Sequence, residues 1–122
     1  MIRFAGRLPS PQCEIFVGLV AGAANQVPPD ATAYFHRDAR FVMNVHARWN
    51  APDDDEPCID WARAFFNASA PFASEGTYVN FMTAEESARV ALAYGANYER
   101  LGRLKRKFDP DNFFHLNQNI PP

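Results

Sequence analysis

"RFVMNVHARW", residues 40–49, alternates with a period of two. Phe41, Met43, Val45, Ala47 and Trp49 form one row; Val42, Asn44, His46 and Arg48 form the other. That alternation predicts a strand with one apolar and one largely polar face. The apolar row needs a second layer to cover it.

The flanking segments supply candidates for that layer. Upstream, "EIFVGLVAGAANQV" (14–27) reads as an apolar strand followed by a Gly/Ala-rich turn, with Gly18 and Gly22 implying close backbone approach. "PPDATAYFHRDA" (28–39) opens with a turn signal and leads into a short strand, "TAYF". Downstream, "NAPDDDEPC" (50–58) is a loop that starts a helix: Asp54 or Asp55 can cap, and Pro57 is tolerated in the first turn. Cys58, Trp61, Ala62, Phe65, Phe66 and Ser69 then recur at helical spacing, and the helix stops before Pro71.

"EGTYVNFMT" (75–83) reads as another strand, with Tyr78 and Asn80 on one face and Val79 and Phe81 on the other. "TAEE" (83–86) is a capping box for a helix through Val90 and Leu92 that breaks near Gly95. Asn97 is placed to cap the last helix, whose face carries Tyr98, Leu101, Leu104, Lys105 and Phe108 and which Asp109-Pro110 ends. The order β-β-β-α-β-α-α-tail predicts an α+β fold, a small antiparallel sheet with helices on one face.

A length of 122 residues predicts one domain, and 48% apolar residues with eleven Phe exclude a disordered chain. A net charge of −2 gives no global signal for nucleic acid or an anionic membrane. No apolar run reaches the length of a membrane span, and "MIRFAGRLPSPQ" has no apolar core of a secretory signal, so a cytoplasmic location is expected. Cys13 and Cys58 form no metal pattern and read as two free thiols. His36, His46 and His115 are too scattered for a zinc site, so no metal is expected. "HRD" (36–38) lacks the other parts of a kinase site, and Arg37 and Asp38 read as an ion pair at a turn.

Were the two strongest strands neighbours, the polar sheet face would gather Asn44, His46, Arg48, Tyr78 and Asn80. A Tyr hydroxyl and an Asn amide two residues apart on a strand lie roughly 7 Å apart and point the same way. Such a face is either solvated or a site wall able to hold a polar ligand and pass a proton.

The tail "YGANYERLGRLKRKFDPDNFFHLNQNIPP" (94–122) carries Phe113, Phe114, Leu116 and Ile120, which a free tail would not need. It resembles the C-terminal signature of the berberine-bridge-enzyme-like FAD-linked oxidases. The matching positions are Tyr94-Gly95, Asn97-Tyr98, Arg100-Leu101, then Lys105, Lys107, Asp109-Pro110, Asn112 and Phe114, then Asn117-Gln118 and Ile120. "TYVNF" (77–81) is similar to the Tyr-x-Asn strand just before it in the family, and residues 35–49 and 58–66 follow in family order.

The resemblance covers roughly residues 14–122 and leaves 1–13 as an N-terminal extension. It implies that the chain is the C-terminal part of a substrate domain, with FAD as cofactor and a small molecule oxidised by hydride transfer. Tyr78 would face the substrate as, or assisting, the base; Asn80 would shape the site; Asn117 and Gln118 would lie near the flavin edge. The family's FAD-binding domain and its pyrophosphate loop are not found in these residues, because Gly18, Gly22, Gly76 and Gly95 lack the necessary spacing. The implied partner is therefore a separate flavin-binding chain. The alternative is a flavin-free homodimer that works on a polar small molecule by acid–base chemistry, with Tyr78, His46 and Arg48 as its reactive groups, or a binding protein without catalysis.

Overall fold

The computed structural model describes residues 1–74 and 76–122. In chain order the elements are helix α1 (Ile2–Ala5), strand β1 (Glu14–Leu19), helix α2 (Ala23–Gln26), strand β2 (Phe41–His46), and helices α3 (Asp55–Ser69), α4 (Val90–Tyr94) and α5 (Tyr98–Phe108). Short 3₁₀ turns fill Pro52–Asp54, Ala70–Phe72, Val79–Phe81, Ala84–Arg89 and Gly95–Asn97. The chain divides into two compact units, one of residues 1–19 and 41–74 and one of residues 20–40 and 75–122.

The first unit holds the sheet. β1 and β2 pair antiparallel, with Ile15 opposite Val45 and Glu14 opposite His46. The alternation of residues 40–49 sorts the faces in part: Val45, Ala47 and Trp49 of the expected apolar row reach the core, whereas Phe41 at the start of β2 is 62% exposed. Ile15, Val45, Ala47 and Trp49 pack on the buried cluster of Cys13, Cys58 and Trp61, while Asn44, His46 and Arg48 take the other side. Helix α3 supplies Cys58, Trp61 and Phe65, spaced three and four apart so that they lie on one stripe. Phe4 of α1 meets Phe65 edge-on at 5.1 Å, and the Trp61 indole N–H donates to the Phe4 carbonyl at 3.2 Å. A methyl group on Gly18 would touch the Phe16 ring at 3.0 Å, so side chains and not backbone crowd it, and Gly22 has nothing within 4 Å; the close backbone approach expected at both glycines is not found. This half is an α+β layer, a small antiparallel sheet covered by a helix.

The second unit is built on turns and short helices. Among the described residues Val90, Ala93, Asn97 and Gly102 are the buried ones of this unit. Thr83 N–H donates to the Glu86 carboxylate at 3.0 Å, which forms the expected capping box on a 3₁₀ turn that runs into α4. Gly95 ends α4 with φ of +52°, and a side chain there would collide with the Phe35 ring. Asp109 then closes α5. Its carboxylate accepts the N–H groups of Phe113 at 2.7 Å and Phe114 at 3.0 Å and pairs with Lys105.

Several expectations fail, among them the cap expected of Asp54 or Asp55: Asp54 stands at the N-cap of α3 without a side-chain cap bond. Residues 32–35 form no strand; side chains take backbone carbonyls in this segment and just before it: Asn97 donates to Pro29 and Thr32, Arg100 to Asp30, and Arg37 to Tyr34. Residues 76–83 form no strand either; Glu75, where that strand was to begin, lies outside the described residues. Phe81 N–H returns to the Tyr78 carbonyl at 2.9 Å, so the segment turns instead of pairing. Asn97 sits at the start of α5 but caps nothing with its side chain. Arg37 does not pair with Asp38; its guanidinium donates to the Ala24 and Tyr34 carbonyls and the Thr32 hydroxyl and lies over the Tyr34 ring.

Candidate functional site

The turn at Val79–Phe81 decides the geometry of Tyr78. A 3₁₀ turn places residues i and i+3 on one side, and the Tyr78 and Phe81 rings meet edge-on at 5.0 Å. Tyr34 abuts the Tyr78 ring from another direction at 6.2 Å. Two edge-to-face contacts therefore fix the ring while the residue stays partly exposed. The Asn80 amide donates to the Tyr78 hydroxyl oxygen at 2.9 Å. The hydroxyl proton is not engaged in that bond and remains available to a ligand.

Asn80 also lines a groove of about 480 Å³ with Val79, Met82, Tyr94, Leu116, Asn117 and Gln118. The tail reaches this groove because Gln118 is tied down: its side-chain amide donates to the Met82 carbonyl at 3.1 Å. Asn117 next to it has φ of +58°, a left-handed bend that asparagine tolerates better than most residues. The groove thus gathers Asn80, Asn117 and Gln118, three residues from two distant segments of sequence. Its lining is three carboxamides and one phenol over apolar Val79, Met82 and Leu116, with no charged side chain. Such a lining suits a flat, neutral heterocycle with hydrogen-bonding edges, and the volume lies within the roughly 300–1,000 Å³ of ligand sites. It offers no cation to a diphosphate.

His46 and Arg48 belong to the other unit. There His46 Nδ1 lies 2.6 Å from Glu14 Oε1, Asn44 Nδ2 lies 2.8 Å from His46 Nε2, and Arg48 pairs with the same Glu14 oxygen. The Phe16 ring stacks parallel to the imidazole at 6.3 Å. The hydrogen bond from His46, with the Arg48 charge behind it, holds the Glu14 carboxyl below its ordinary 4.5, although desolvation works against them. The expected single sheet face carrying His46, Arg48, Tyr78 and Asn80 does not form, because residues 76–83 make no strand and β2 pairs with β1.

Sequence reasoning missed Tyr34, Met82 and Tyr94 as neighbours of the site. Tyr34 was placed in a strand that does not form, and Met82 and Tyr94 carry no signal beyond ordinary packing. Among the described residues no group of three His, Cys, Asp or Glu side chains could hold a metal. Among the described residues no helix is long and apolar enough to cross a membrane.

Residues 77–121 match the family model described as berberine and berberine like. The chain is 32% identical over 119 residues to the uncharacterized FAD-linked oxidoreductase YgaK of Bacillus subtilis, covering 98% of this chain and 26% of that protein. It is 31% identical to berberine bridge enzyme-like C-1 of Nicotiana tabacum, covering 83% and 24%. With FAD-linked oxidoreductase sorD of Penicillium rubens the identity is 33%, covering 84% and 23%. The chain spans about a quarter of the length of these curated relatives. The groove-lining Asn80, Asn117 and Gln118 all fall within residues 77–121, and the chain carries the C-terminal berberine-like domain found in berberine-bridge-enzyme-like proteins.

Proposed function

We propose that this chain forms the substrate-side wall of an FAD-dependent oxidoreductase that removes hydride from a hydroxyl- or amine-bearing carbon. The observation that carries this reading is the convergence of Asn80, Asn117 and Gln118 on one groove, with the Tyr78 hydroxyl held by Asn80. FAD, when bound, supplies the hydride acceptor. Asn117 and Gln118 would present amide edges to the flavin ring. Tyr78 would orient the substrate hydroxyl and receive or relay its proton, with Asn80 keeping the phenol oxygen in place. His46 and Arg48, tied to Glu14, would hold their strand pair together and play no part in this chemistry.

The diphosphate and adenosine of FAD would be held by a flavin-binding chain or domain. Exposed apolar residues support such a partner: Phe113 is 76% and Leu116 81% exposed. A second copy of this chain is the alternative cover, and sedimentation distinguishes a self-associating chain from a monomer awaiting a different partner. The functional test is the visible absorption spectrum of the natively extracted protein with whatever accompanies it. Flavin bands that disappear when the partner is stripped away support the reading. A colourless protein that turns over small molecules as a homodimer contradicts it and returns Tyr78 to flavin-free acid–base chemistry.

A further inference from the structure

Cys13 and Cys58 are 45 positions apart in sequence, yet their sulfurs lie 3.8 Å apart in the core of the first unit. Cys13 is 2% exposed and Cys58 0%. Cys13 sits in the turn before β1, where its N–H donates to the Ser10 carbonyl at 3.0 Å, and its sulfur lies 3.5 Å from the Arg48 carbonyl. Cys58 is in the first turn of α3. Both thiols are free. A packed core needs apolar groups at these places, and two alanines or valines would fill them. Instead two oxidisable groups face each other at van der Waals distance, on the two segments that hold the unit together.

We infer that Cys13 and Cys58 are a disulfide-forming pair, a reversible staple between the segment before β1 and helix α3. The oxidant is hydrogen peroxide. The Cys13 sulfur attacks the peroxide O–O bond and becomes a sulfenic acid, releasing one water. The Cys58 sulfur then displaces the hydroxyl from Cys13; the S–S bond forms and a second water leaves. Two thiols lose two electrons and two protons, and one peroxide becomes two waters. Thiol reductants reverse the bond. Burial and the neighbouring Cys13, Asp54 and Asp55 push the Cys58 thiol up to about 11, so Cys58 attacks only when local opening relieves its burial. α1 is four residues long with none of them buried, and a local opening there, breaking the Phe4 contacts with Trp61 and Phe65, would admit peroxide to the pair.

The test uses the full chain. The reduced protein is treated with hydrogen peroxide without denaturant, remaining thiols are alkylated, and the digest is mapped by mass spectrometry. The expected result is a linked peptide pair carrying Cys13 and Cys58, lost on treatment with dithiothreitol, and a melting temperature raised by about 10 °C in the oxidised form. Cys13→Ala should abolish that rise. If that variant does not fold, the oxidised and reduced wild-type chains make the same comparison. A link that forms only in denaturant overturns the inference, as does oxidation of either cysteine to a sulfinic acid without a link. Two thiols that stay alkylatable after peroxide also overturn it.

Discussion

Asn80 donates to the Tyr78 hydroxyl oxygen at 2.9 Å, across a turn and not along a strand. The turn brings two polar groups that a strand would hold roughly 7 Å apart into direct contact. It also leaves the Asn80 side chain on the groove that Asn117 and Gln118 share.

Tyr78 and Asn80 are both exposed enough for their substitution to leave the fold intact. Tyr78→Phe should change unfolding free energy by no more than about 0.5 kcal/mol. In the flavin-loaded complex the same change should lower turnover by about 10²-fold or more. Asn80→Leu should keep flavin binding within a few-fold and lower turnover less than Tyr78→Phe. Chemical denaturation and single-turnover flavin reduction measure the two quantities separately.

Asn97 is buried and gives its amide to the Pro29 carbonyl at 2.7 Å and the Thr32 carbonyl at 3.0 Å. Asn97→Ala strands both acceptors. Unfolding should become easier by about 1–3 kcal/mol, read from the midpoint of a urea titration. An effect near zero would mean that water or a shifted loop replaces the amide.

Phe65 and Phe72 give an internal contrast. Phe65 is 2% exposed and sandwiched by Phe4 and Trp61, whereas Phe72 is 89% exposed. Phe65→Ala should cost about 3–5 kcal/mol, and Phe72→Ala within about 0.5 kcal/mol for the chain alone. A larger loss at Phe72 that depends on protein concentration would show that a second copy covers it.

Two titrations bound the stable pH range. The hydrogen bond from Lys105, joined by the N–H groups of Phe113 and Phe114, lowers the Asp109 carboxyl below its ordinary 3.8. Its stabilising effect is present above that value and is lost as pH falls through the lowered one. At the alkaline end the Cys58 thiol is raised from 9.0 to about 11. The unfolded chain ionises there before the folded chain does, so stability should fall as pH rises from 9.0 toward 11. Thermal melts across pH should show both slopes, and Cys58→Ala should remove the alkaline one.

The sheet was legible in the sequence because residues 40–49 alternate over their whole length and Val45, Ala47 and Trp49 have a helical stripe to pack on. Helix α3 was legible from its acidic start, regular apolar spacing and the stop at Pro71, and α5 from its spacing and the stop at Pro110. The turn at Val79–Phe81 was not. A run of four residues fits a period of two or of three equally well, and the edge contact between Tyr78 and Phe81 favours three. The loop at 28–37 was hidden for a different reason. Its backbone is held by Asn97 and Arg100, more than sixty residues away, through bonds that leave no local pattern. Asn117 and Gln118 came from the family signature, whereas spacing alone gave the Tyr78–Asn80 pair and nothing pointed to Met82.

The central claim is that Asn80, Asn117 and Gln118 form one surface for the flavin ring. The most direct measurement is an NMR titration of the labelled chain with riboflavin, which has the ring without the diphosphate, following the side-chain amide signals. The account predicts that the signals of Asn80, Asn117 and Gln118 shift together and saturate, while those of Asn25 and Asn97, tied elsewhere in the unit, stay in place. Amide signals that remain fixed at saturating riboflavin, or that move only at sites away from the groove, would contradict it.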